Sequence, residues 1–467
     1  MKDYTTISRV YFIGIGGIGM SALARYYLGR HIIVSGYDKA ETPLTKQLQS
    51  EGALIHYEDI EHLLDKGAEL VVYTTAIPSD HKEFVWYSQN NYELAKRSDV
   101  LREITKLSFN ICIAGTHGKT TISTMVAHIL RDSGFGCNAF LGGISVNYNT
   151  NYWSSNNNVD VVEADEYDRS FLKLSPDIAL ISAMDADHLD IYGTVENMRA
   201  AFVEFGAKLK TGGLLLTRFG LNDKEFTALN HIRYSLQNSS ADVYAANITM
   251  RDGSYEFDVI AEGWMIDNVK LNMGGMHNVE NTVAAIAIAN HLEIDIEKIK
   301  TAVEKFKGVK RRFEYIVSPS EAAKQKYNVV YIDDYAHHPE ELKALIKSAK
   351  SLFGKRKCTI IFQPHLFSRT RDFAKEFAAA LDMADEILLL PVYPARELPI
   401  EGVTSKLILD KMENENSDII SKDQLLKYLE GNYLKAVKES SYGQLLITAG
   451  AGNIDQLVKP IKNILSQ

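Results

Sequence analysis

The sequence has few cysteines and no long hydrophobic run. Its 467 residues include three cysteines, Cys112, Cys137 and Cys358, which are far apart, so neither a disulfide framework nor a zinc site is indicated. No apolar run approaches the roughly 18 to 20 residues that a membrane-spanning helix needs, and the N-terminal MKDYTTISR lacks the layout of a signal peptide. We therefore expect a cytoplasmic protein that does not enter a membrane.

Basic residues are outnumbered by acidic residues, 51 to 60. The net charge is −9 and there is no long basic run, which argues against general nucleic-acid binding. With 46% hydrophobic and 24% charged residues the composition is that of an ordinary globular protein, and the length suggests about three domains. Any anionic ligand must therefore be bound at local sites.

The most informative stretch is ICIAGTHGKTT, from Ile111 to Thr121. It predicts an apolar strand, a glycine-bracketed turn and the start of a helix, which together form a phosphate-binding loop. The general P-loop pattern would have glycine at Ile113, so this loop is a shorter G-x-x-G-K-T. We expect Lys119 to be exposed, so that its replacement would leave folding intact. The candidate ATP-binding residues here are Gly115, Thr116, His117, Gly118, Lys119, Thr120 and Thr121.

A second glycine-rich turn lies near the start of the chain. A strand, the pattern G-x-G-x-x-G, a helix and a second strand ending at Asp38 make up a Rossmann fingerprint. The fingerprint fits a dinucleotide or another diphosphate-linked nucleoside such as a UDP-sugar, and a plain tight turn is the remaining alternative. A further strand is predicted over Glu69 to Ile77. The candidate ligand-binding residues are Gly14, Gly16, Gly17, Ile18, Gly19, Met20, Ser21, Asp38, Thr74 and Thr75.

Acidic residues follow two predicted strands after the phosphate-binding loop. The strand Val159 to Val162 is followed by Glu163, Asp165 and Glu166, and the next strand is followed by DADHLDIYG, which contains His188. Carboxylates at a strand end beside a P-loop are placed to hold Mg²⁺. Glu163 and His188 are the candidate ligands, and ordinary exposed polar strand ends are the alternative. The asparagine-rich segment 147–158 is predicted to be a surface loop.

Candidate nucleotide and amino-acid residues occur in the last 200 residues of the sequence. His277, Asn278 and Asn281 precede an alanine-rich helix, where they fit either an adenine edge or helix capping. A third α/β series follows, with strands near residues 329, 358, 386 and 444. Its strand ends carry DDYAHHPEE, FQPHLFSRTRD, PVYPARELPIEGV and TAGAGN, which indicate an anion or amino-acid site.

Motifs in all three parts of the chain resemble those of the Mur ligases of peptidoglycan synthesis. The matching runs are GIGGIGMSALA, AGTHGKTT, EADEYDRSFL, DADHLDIYG, HNVENTVAA, GVKRRFE, DDYAHHP, FQPHLFSRTRD and VYPARELPIEGV. The resemblance implies an α/β chain of three domains: a Rossmann-like UDP-sugar-binding domain at 1–106, a central ATP-binding domain with a P-loop ATPase-like parallel or mixed sheet at 107–311, and a C-terminal Rossmann-like amino-acid-binding domain at 312–467.

The activity implied by this resemblance is an ATP-dependent ligation. L-Alanine would be joined to the lactyl carboxylate of UDP-N-acetylmuramate through an acyl phosphate, with release of ADP and phosphate, and ATP and two Mg²⁺ ions would be needed. The protein would be a monomer or weak dimer. The implied roles are catalysis for Lys119, Glu163 and His188; Mg²⁺ binding for Thr120, Glu163 and His188; ATP contacts for His277, Asn278, Asn281, Arg312 and Asp334; and L-alanine contacts for Tyr335, His337, His365 and Arg369.

One position departs from the family pattern, because Leu366 stands where many members have arginine after the histidine. Two alternatives follow: Arg369 takes over the task of that arginine, or the incoming amino acid is a different one. Three alternatives stay open: a ligase of the same family that takes a preformed peptide, an NAD-dependent oxidoreductase, and a nucleotide switch that hydrolyses ATP to move a partner.

Overall fold

The computed structural model describes residues 4–186, 189–221, 225–251, 253–395 and 397–466. Within them the chain forms three sheets, each accompanied by helices. The chain divides into two compact units. The first comprises Met1–Ala246, Val259–Ile266 and Glu280–Val303, and the second comprises Asn247–Asp258, Asp267–Val279 and Glu304–Gln467.

The first sheet has five parallel strands in the order β3-β2-β1-β4-β5. Its strands are β1 (Arg9–Ile13), β2 (Ile33–Tyr37), β3 (Leu54–His56), β4 (Leu70–Tyr73) and β5 (Leu94–Lys96), and its helices are α1 (Ile18–Leu28), α2 (Pro43–Ser50), α3 (Lys82–Gln89) and α4 (Arg97–Thr105). The strand order reverses at β1. Ligands bind outside the carboxyl ends of the strands at such a point, which is where the first glycine turn lies.

The second sheet has ten strands in the order β15-β14-β13-β12-β11-β10-β6-β9-β7-β8. The strands are β6 (Phe109–Ala114), β7 (Asn138–Ser145), β8 (Thr150–Trp153), β9 (Val159–Glu163), β10 (Ile178–Ile181), β11 (Leu214–Arg218), β12 (Asn230–Ser235), β13 (Val243–Arg251), β14 (Ser254–Ala261) and β15 (Trp264–Leu271). The helices are α5 (Lys119–Asp132), α6 (Leu189–Tyr192), α7 (Val195–Ala207), α8 (Met276–His291) and α9 (Ile296–Lys305). Because β6 pairs in parallel with β9 and β10, the phosphate-binding loop and the acidic end of β9 share one edge.

The third sheet has six strands in the order β16-β17-β21-β18-β19-β20, of which β16 is antiparallel to its neighbour. The strands are β16 (Glu314–Val317), β17 (Val329–Asp334), β18 (Lys357–Phe362), β19 (Glu386–Leu389), β20 (Ser417–Ile419) and β21 (Gln444–Ala449). The helices are α10 (Pro319–Ala322), α11 (Pro339–Leu352), α12 (Phe367–Asp372), α13 (Ala374–Leu381), α14 (Lys406–Leu409), α15 (Lys422–Tyr428), α16 (Leu434–Glu439) and α17 (Val458–Leu465). The three sheets confirm the predicted α/β fold class.

The prediction of a surface loop over 147–158 was wrong. Strand β8 lies inside this segment, and Asn151 is fully buried. Its amide donates to Ile18 O at 2.6 Å and to Ser21 Oγ at 3.0 Å, so the strand is fastened to α1. A polar composition predicts exposure only when its hydrogen bonds go to water, and here they go to a helix far away in the sequence. None of the helices among the described residues is long and apolar enough to cross a membrane.

Candidate active site

The phosphate-binding loop connects β6 to α5 through two glycines with positive φ. Gly115 has φ +129° and Gly118, which precedes the first residue of α5, has φ +82°. A Cβ on Gly115 would lie 2.2 Å from Ser182 Oγ and 2.8 Å from the backbone N of Ala183, so no side chain fits there. The turn therefore directs the free N–H groups of the first turn of α5 at one point, as a phosphate site requires.

Gly115→Ala is expected to lower the free energy of unfolding by about 3 kcal/mol and to abolish nucleotide binding, since it adds a clash with backbone to an unfavourable φ. Gly134 is a matched control, because its φ is +83° but a Cβ there meets nothing within 4 Å. Gly134→Ala should lower the free energy of unfolding by about 1 kcal/mol and leave nucleotide binding unchanged. Urea unfolding and calorimetric titration with ATP measure both effects. Equal losses in the two variants would contradict the packing argument.

Lys119 is not the exposed lysine that the sequence suggested. Its Nζ donates to Gly115 O at 2.7 Å and to Glu166 Oε1 at 2.6 Å, and the two side chains are 15% and 0% exposed. Burial raises the pKa of Glu166, and the lysine opposes that shift by stabilising the carboxylate. The ammonium is therefore held at the mouth of the phosphate-binding loop by a buried ion pair, and its removal has a consequence for stability.

Glu163 and Thr120 meet, as predicted, at the shared edge of β9 and β6. Thr120 Oγ1 donates to Glu163 Oε1 at 3.0 Å, and the backbone N–H of Gly142 donates to Glu163 Oε2 at 3.0 Å. A hydroxyl and a carboxylate beside a phosphate site are the hard oxygen ligands that Mg²⁺ takes together with phosphate oxygens, so these residues fit that ion. His188 lies outside the described residues. The described part of the chain holds no cluster of three metal-ligating side chains.

A cavity of about 390 Å³ connects the first glycine turn with Glu163 inside the first compact unit. Its lining combines residues predicted to bind a diphosphate-linked nucleoside with residues from the acidic edge of the central sheet. The residues that matter for the site are Gly17, Ile18, Gly19, Met20, Thr74, Thr75, Arg97, Gly142, Glu163, Asp165 and Asp168. A ligand anchored at the start of α1 can therefore extend to the carboxylate beside the phosphate-binding loop.

Two side chains predicted to contact this ligand are already hydrogen-bonded to the protein. Asp38 Oδ2 accepts from the backbone N–H of Gly16 at 2.7 Å, so the acid at the end of β2 holds the glycine turn in place. The hydroxyl of Ser21 donates to Ile18 O at 2.8 Å and is fully buried. Thr74 and Thr75 lie beyond β4, which ends at Tyr73 rather than at Ile77. All four remain candidate ligand contacts.

Asn281 of helix α8 lies beside the phosphate-binding loop. A Cβ on Gly118 would be 2.9 Å from Asn281 Oδ1, and Asn281 is buried. Asn278 Nδ2 donates to Gly274 O at 2.6 Å, a local bond that matches the helix-capping alternative. His277 is exposed. The structure therefore brings Asn281 to the loop and gives Asn278 a structural bond.

The predicted amino-acid residues cluster in the second unit. The ring of His337 is 5.2 Å from that of Tyr335 and 6.1 Å from that of His365, which in turn stacks on Tyr393 at 5.8 Å. Burial lowers the pKa of His365 to about 4, so its ring is neutral at neutral pH. His365 Nδ1 and Arg369 Nη1 are buried and have no hydrogen-bond partner among the described residues. An unpartnered guanidinium N–H beside a neutral ring fits a carboxylate.

Arg312 and Asp334 lie in the same unit, and Arg312 is the second of two adjacent arginines, Arg311 and Arg312. Arg311 Nε donates to the buried Asp333 at 3.3 Å, so the first arginine of the pair is bonded within the fold. Asp334 accepts from the backbone N–H groups of Phe313 and Ala336, each at 2.7 Å. Burial raises the pKa of Asp334 to about 6, and these two hydrogen bonds oppose the shift. The predicted contacts of Arg312 with phosphate and of Asp334 with ribose stay predictions.

Three family profiles cover most of the chain. "Mur ligase family, catalytic domain" matches residues 9–108, "Mur ligase middle domain" matches 113–289, and "Mur ligase, glutamate ligase domain" matches 311–452. The chain belongs to the Mur ligase family. This membership confirms the resemblance found in the motifs and argues against the oxidoreductase and switch alternatives.

Individual relatives of this Mur ligase share one name. The chain is similar to the UDP-N-acetylmuramate–L-alanine ligases of Porphyromonas gingivalis, with 45% identity covering 98% of this chain and 99% of that protein, and of Cytophaga hutchinsonii, with 46% identity covering 100% and 98%. A solved structure of UDP-N-acetylmuramate-alanine ligase from Thermotoga maritima has a TM-score of 0.81 at 29% identity and covers 97% of this chain and 98% of that one.

Arg97 and Glu166 have roles at the site of this Mur ligase that were not found from the sequence. Arg97, the first residue of α4, lines the cavity, and Glu166 holds Lys119. The position of Arg97 directly after the short strand β5 was an available signal, because ligand contacts gather at the carboxyl ends of parallel strands. Glu166 was grouped with the Mg²⁺ acids, and nothing in its spacing shows which acid turns toward the lysine.

Proposed function

We propose that this chain joins L-alanine to the lactyl carboxylate of UDP-N-acetylmuramate in an ATP-dependent reaction of cell-wall synthesis. The lactyl carboxylate attacks the γ-phosphate of ATP to give an acyl phosphate and ADP. The amine of L-alanine then attacks the acyl carbon, and phosphate leaves from the tetrahedral intermediate. The observation that carries the proposal is the cavity joining the glycine turn of α1 to Glu163, because it lets one ligand bind by its diphosphate and present a carboxylate beside the phosphate-binding loop.

The protein's task in this reaction is to position reactants and balance charge. A carboxylate is a poor electrophile with no usable leaving group at neutral pH, and phosphorylation supplies one. In phosphoryl transfer little covalent work falls to the protein. Lys119 binds the β- and γ-phosphates, with Glu166 fixing the direction of its side chain. The N-terminus of α5 binds phosphate oxygens through its N–H groups.

Thr120 and Glu163 would hold one Mg²⁺, and His188 is our candidate ligand for a second. When bound, the ion neutralises the negative charge that develops on the phosphate oxygens. The hydrogen bond from Gly142 N–H keeps Glu163 turned toward Thr120, so that the two ligand atoms lie 3.0 Å apart before nucleotide arrives. Asn281 is proposed to contact adenine, Arg312 a phosphate and Asp334 the ribose.

The amino-acid site is proposed at Tyr335, His337, His365 and Arg369. Arg369 offers an unpartnered N–H to the carboxylate of L-alanine. The neutral His365, whose ring stacks on that of Tyr393, adds no positive charge that would repel the alanine amine. Leu366 begins the turn before α12 with φ +71°. We propose that Arg369, three residues later on α12 and with its buried Nη1, takes the carboxylate-binding task. We also retain as proposals the domain division at 1–106, 107–311 and 312–467, a cytoplasmic location, and a monomer or weak dimer.

Arg369→Gln is expected to raise the KM for L-alanine by about 10- to 100-fold, because it removes a charge-assisted hydrogen bond. The KM for UDP-N-acetylmuramate should stay within about twofold of the wild-type value. The control is Arg371→Gln on the same helix, since Arg371 is exposed and pairs with its neighbour Asp372. Initial rates of phosphate release at varied L-alanine measure both variants. An unchanged KM for L-alanine would move the carboxylate site elsewhere.

The proposed function itself is tested by phosphate release from ATP in the presence of Mg²⁺ and UDP-N-acetylmuramate. L-Alanine, glycine, L-serine and L-Ala-γ-D-Glu-diaminopimelate are added in turn. Release that requires the UDP-sugar and is fastest with L-alanine supports the proposal. Release that is fastest with the tripeptide would instead make the chain a ligase of preformed peptides. Release that needs neither the UDP-sugar nor an amino acid would show an ATPase and not a ligase.

A further inference from the structure

We propose that Arg97 binds the lactyl carboxylate of the UDP-sugar and so selects UDP-N-acetylmuramate over UDP-sugars that lack this group. The inference rests on the function proposed above and assigns a specificity residue within its substrate cavity.

One side of Arg97 packs against the start of α1. A Cβ on Gly19 would lie 3.0 Å from Arg97 Cδ, 3.1 Å from Nη1 and 3.2 Å from Nε, so the third glycine of the G-x-G-x-x-G pattern leaves the space that this arginine occupies. Gly19 is in the first turn of α1, where the N–H groups face a diphosphate. The guanidinium therefore lies next to the expected position of the diphosphate, on the side toward the central sheet.

The other side of Arg97 faces the acidic end of the cavity. Its Nη2 is 3.7 Å from Asp165 Oδ2, and the two side chains are 23% and 42% exposed. A separation of 3.7 Å exceeds a hydrogen bond, and an ion pair of this exposure is weak. Arg97 is thus held near Asp165 without being bonded to it, and a better-placed carboxylate can take the guanidinium.

The charges along the cavity explain why a carboxylate ligand needs this arginine. The charged side chains among the described residues of the lining are the cations Lys96 and Arg97 and the anions Glu163, Asp165 and Asp168. A substrate carboxylate moving toward the γ-phosphate of ATP approaches these three acids, and like charges repel it. Lys96 is exposed, whereas Arg97 is half-buried between α1 and Asp165. A planar guanidinium also matches a carboxylate with two parallel hydrogen bonds, which an ammonium cannot do.

Binding of the diphosphate does not by itself explain why an arginine stands at position 97. The N-terminus of α1 supplies N–H groups to a diphosphate in any Rossmann-type site, and every UDP-sugar carries that group. The lactyl carboxylate is the group that distinguishes UDP-N-acetylmuramate from UDP-N-acetylglucosamine. It is also the reacting group, so it must come to the end of the cavity where Glu163 lies, and Arg97 stands between α1 and that end.

The test compares binding of UDP-N-acetylmuramate and UDP-N-acetylglucosamine by calorimetric titration of the full-length protein. Arg97→Gln is expected to weaken UDP-N-acetylmuramate binding by about 10- to 100-fold and to change UDP-N-acetylglucosamine binding by less than about threefold. Arg97→Lys keeps the charge but loses the paired hydrogen bonds, so its affinity for UDP-N-acetylmuramate should lie between those of Arg97→Gln and the wild type. The control is Arg102→Gln, further along α4, where the arginine pairs with Glu103 and Asp99 on its own helix.

Two results would overturn the assignment. If Arg97→Gln loses equal affinity for the two UDP-sugars, Arg97 contacts the UDP part that they share or only supports the fold. If the variant keeps the wild-type ratio of the two affinities, Arg97 does not recognise the carboxylate. If Arg97→Gln does not fold, the same two affinities are measured for Arg97→Lys, and the same two outcomes overturn the assignment. Failure of the proposed function shows separately, because the wild-type protein would then release no phosphate in response to UDP-N-acetylmuramate and L-alanine.

Discussion

Lys119→Met is expected to abolish ATP-dependent turnover, by a factor on the order of 10³ or more, and also to destabilise the fold. The catalytic loss follows because the β- and γ-phosphates lose their cation. The stability loss follows because Glu166 is fully buried and Lys119 is its ion-pair partner. Removing one member of a buried pair leaves an uncompensated charge, at a cost of about 3 kcal/mol. Phosphate release and urea unfolding measure the two effects separately.

The pH dependence of this stability loss has a defined sign. Burial raises the pKa of Glu166, and without the lysine the pKa rises further. When the pKa of a carboxyl group is higher in the folded than in the unfolded state, the free energy of unfolding of the protein falls as the pH rises through the folded-state pKa. Below the unfolded-state pKa of about 4.3 the group is protonated in both states, and the protein has no such loss. The stability difference between wild type and Lys119→Met should therefore shrink as the pH is lowered from 8 toward 5.

The double variant Lys119→Met/Glu166→Gln separates the structural from the catalytic role. Replacing the carboxylate by a neutral amide removes the uncompensated charge, so most of the lost stability should return. Turnover should stay as low as in Lys119→Met, because the phosphate-binding cation is still missing. Recovery of turnover in the double variant would show that the lysine acts only by neutralising Glu166, and would remove it from phosphate binding.

Glu163→Gln is expected to lower turnover by about 10²-fold or more at ordinary Mg²⁺ concentrations, with partial recovery when Mg²⁺ is raised. The amide keeps the shape of the side chain. Its oxygen can still accept from the backbone N–H of Gly142, and its NH2 group can donate to the hydroxyl of Thr120, so folding should be little affected. It is a poorer ligand than a carboxylate for a hard divalent cation. The Mg²⁺ dependence of phosphate release is the measurement that separates loss of a metal ligand from a structural defect.

Asp165→Asn is the matched control for Glu163→Gln. Asp165 lines the same cavity two residues later, so the substitution removes the same charge from the same region without touching Thr120. The Mg²⁺ dependence of Asp165→Asn should be close to wild type. If both variants shift it equally, the effect belongs to the electrostatic potential of the cavity, and Glu163 is not a Mg²⁺ ligand.

The local patterns that the sequence displays predicted most of the elements around the site. The helix predicted after the glycine turn is present as α5, and Glu163, after the strand predicted from Val159, accepts a hydrogen bond from Thr120. These features depend on neighbouring residues, since a glycine turn between an apolar strand and a helix has few other ways to fold. Strand β8 was missed because its polar residues are satisfied by α1 rather than by water.

The sequence by itself determined the local elements of the site: a glycine turn before α5, a glycine turn before α1, an acid at the end of β9, and the three α/β series that carry them. Only the tertiary structure decided which side chains serve which group. In the folded protein Lys119 donates a hydrogen bond to Glu166, 47 residues away in the sequence, and the side chain of Arg97 packs against Gly19. The physical reason is that residue type and spacing fix local backbone geometry, whereas contacts between distant segments depend on strand order and on how each helix packs across its sheet.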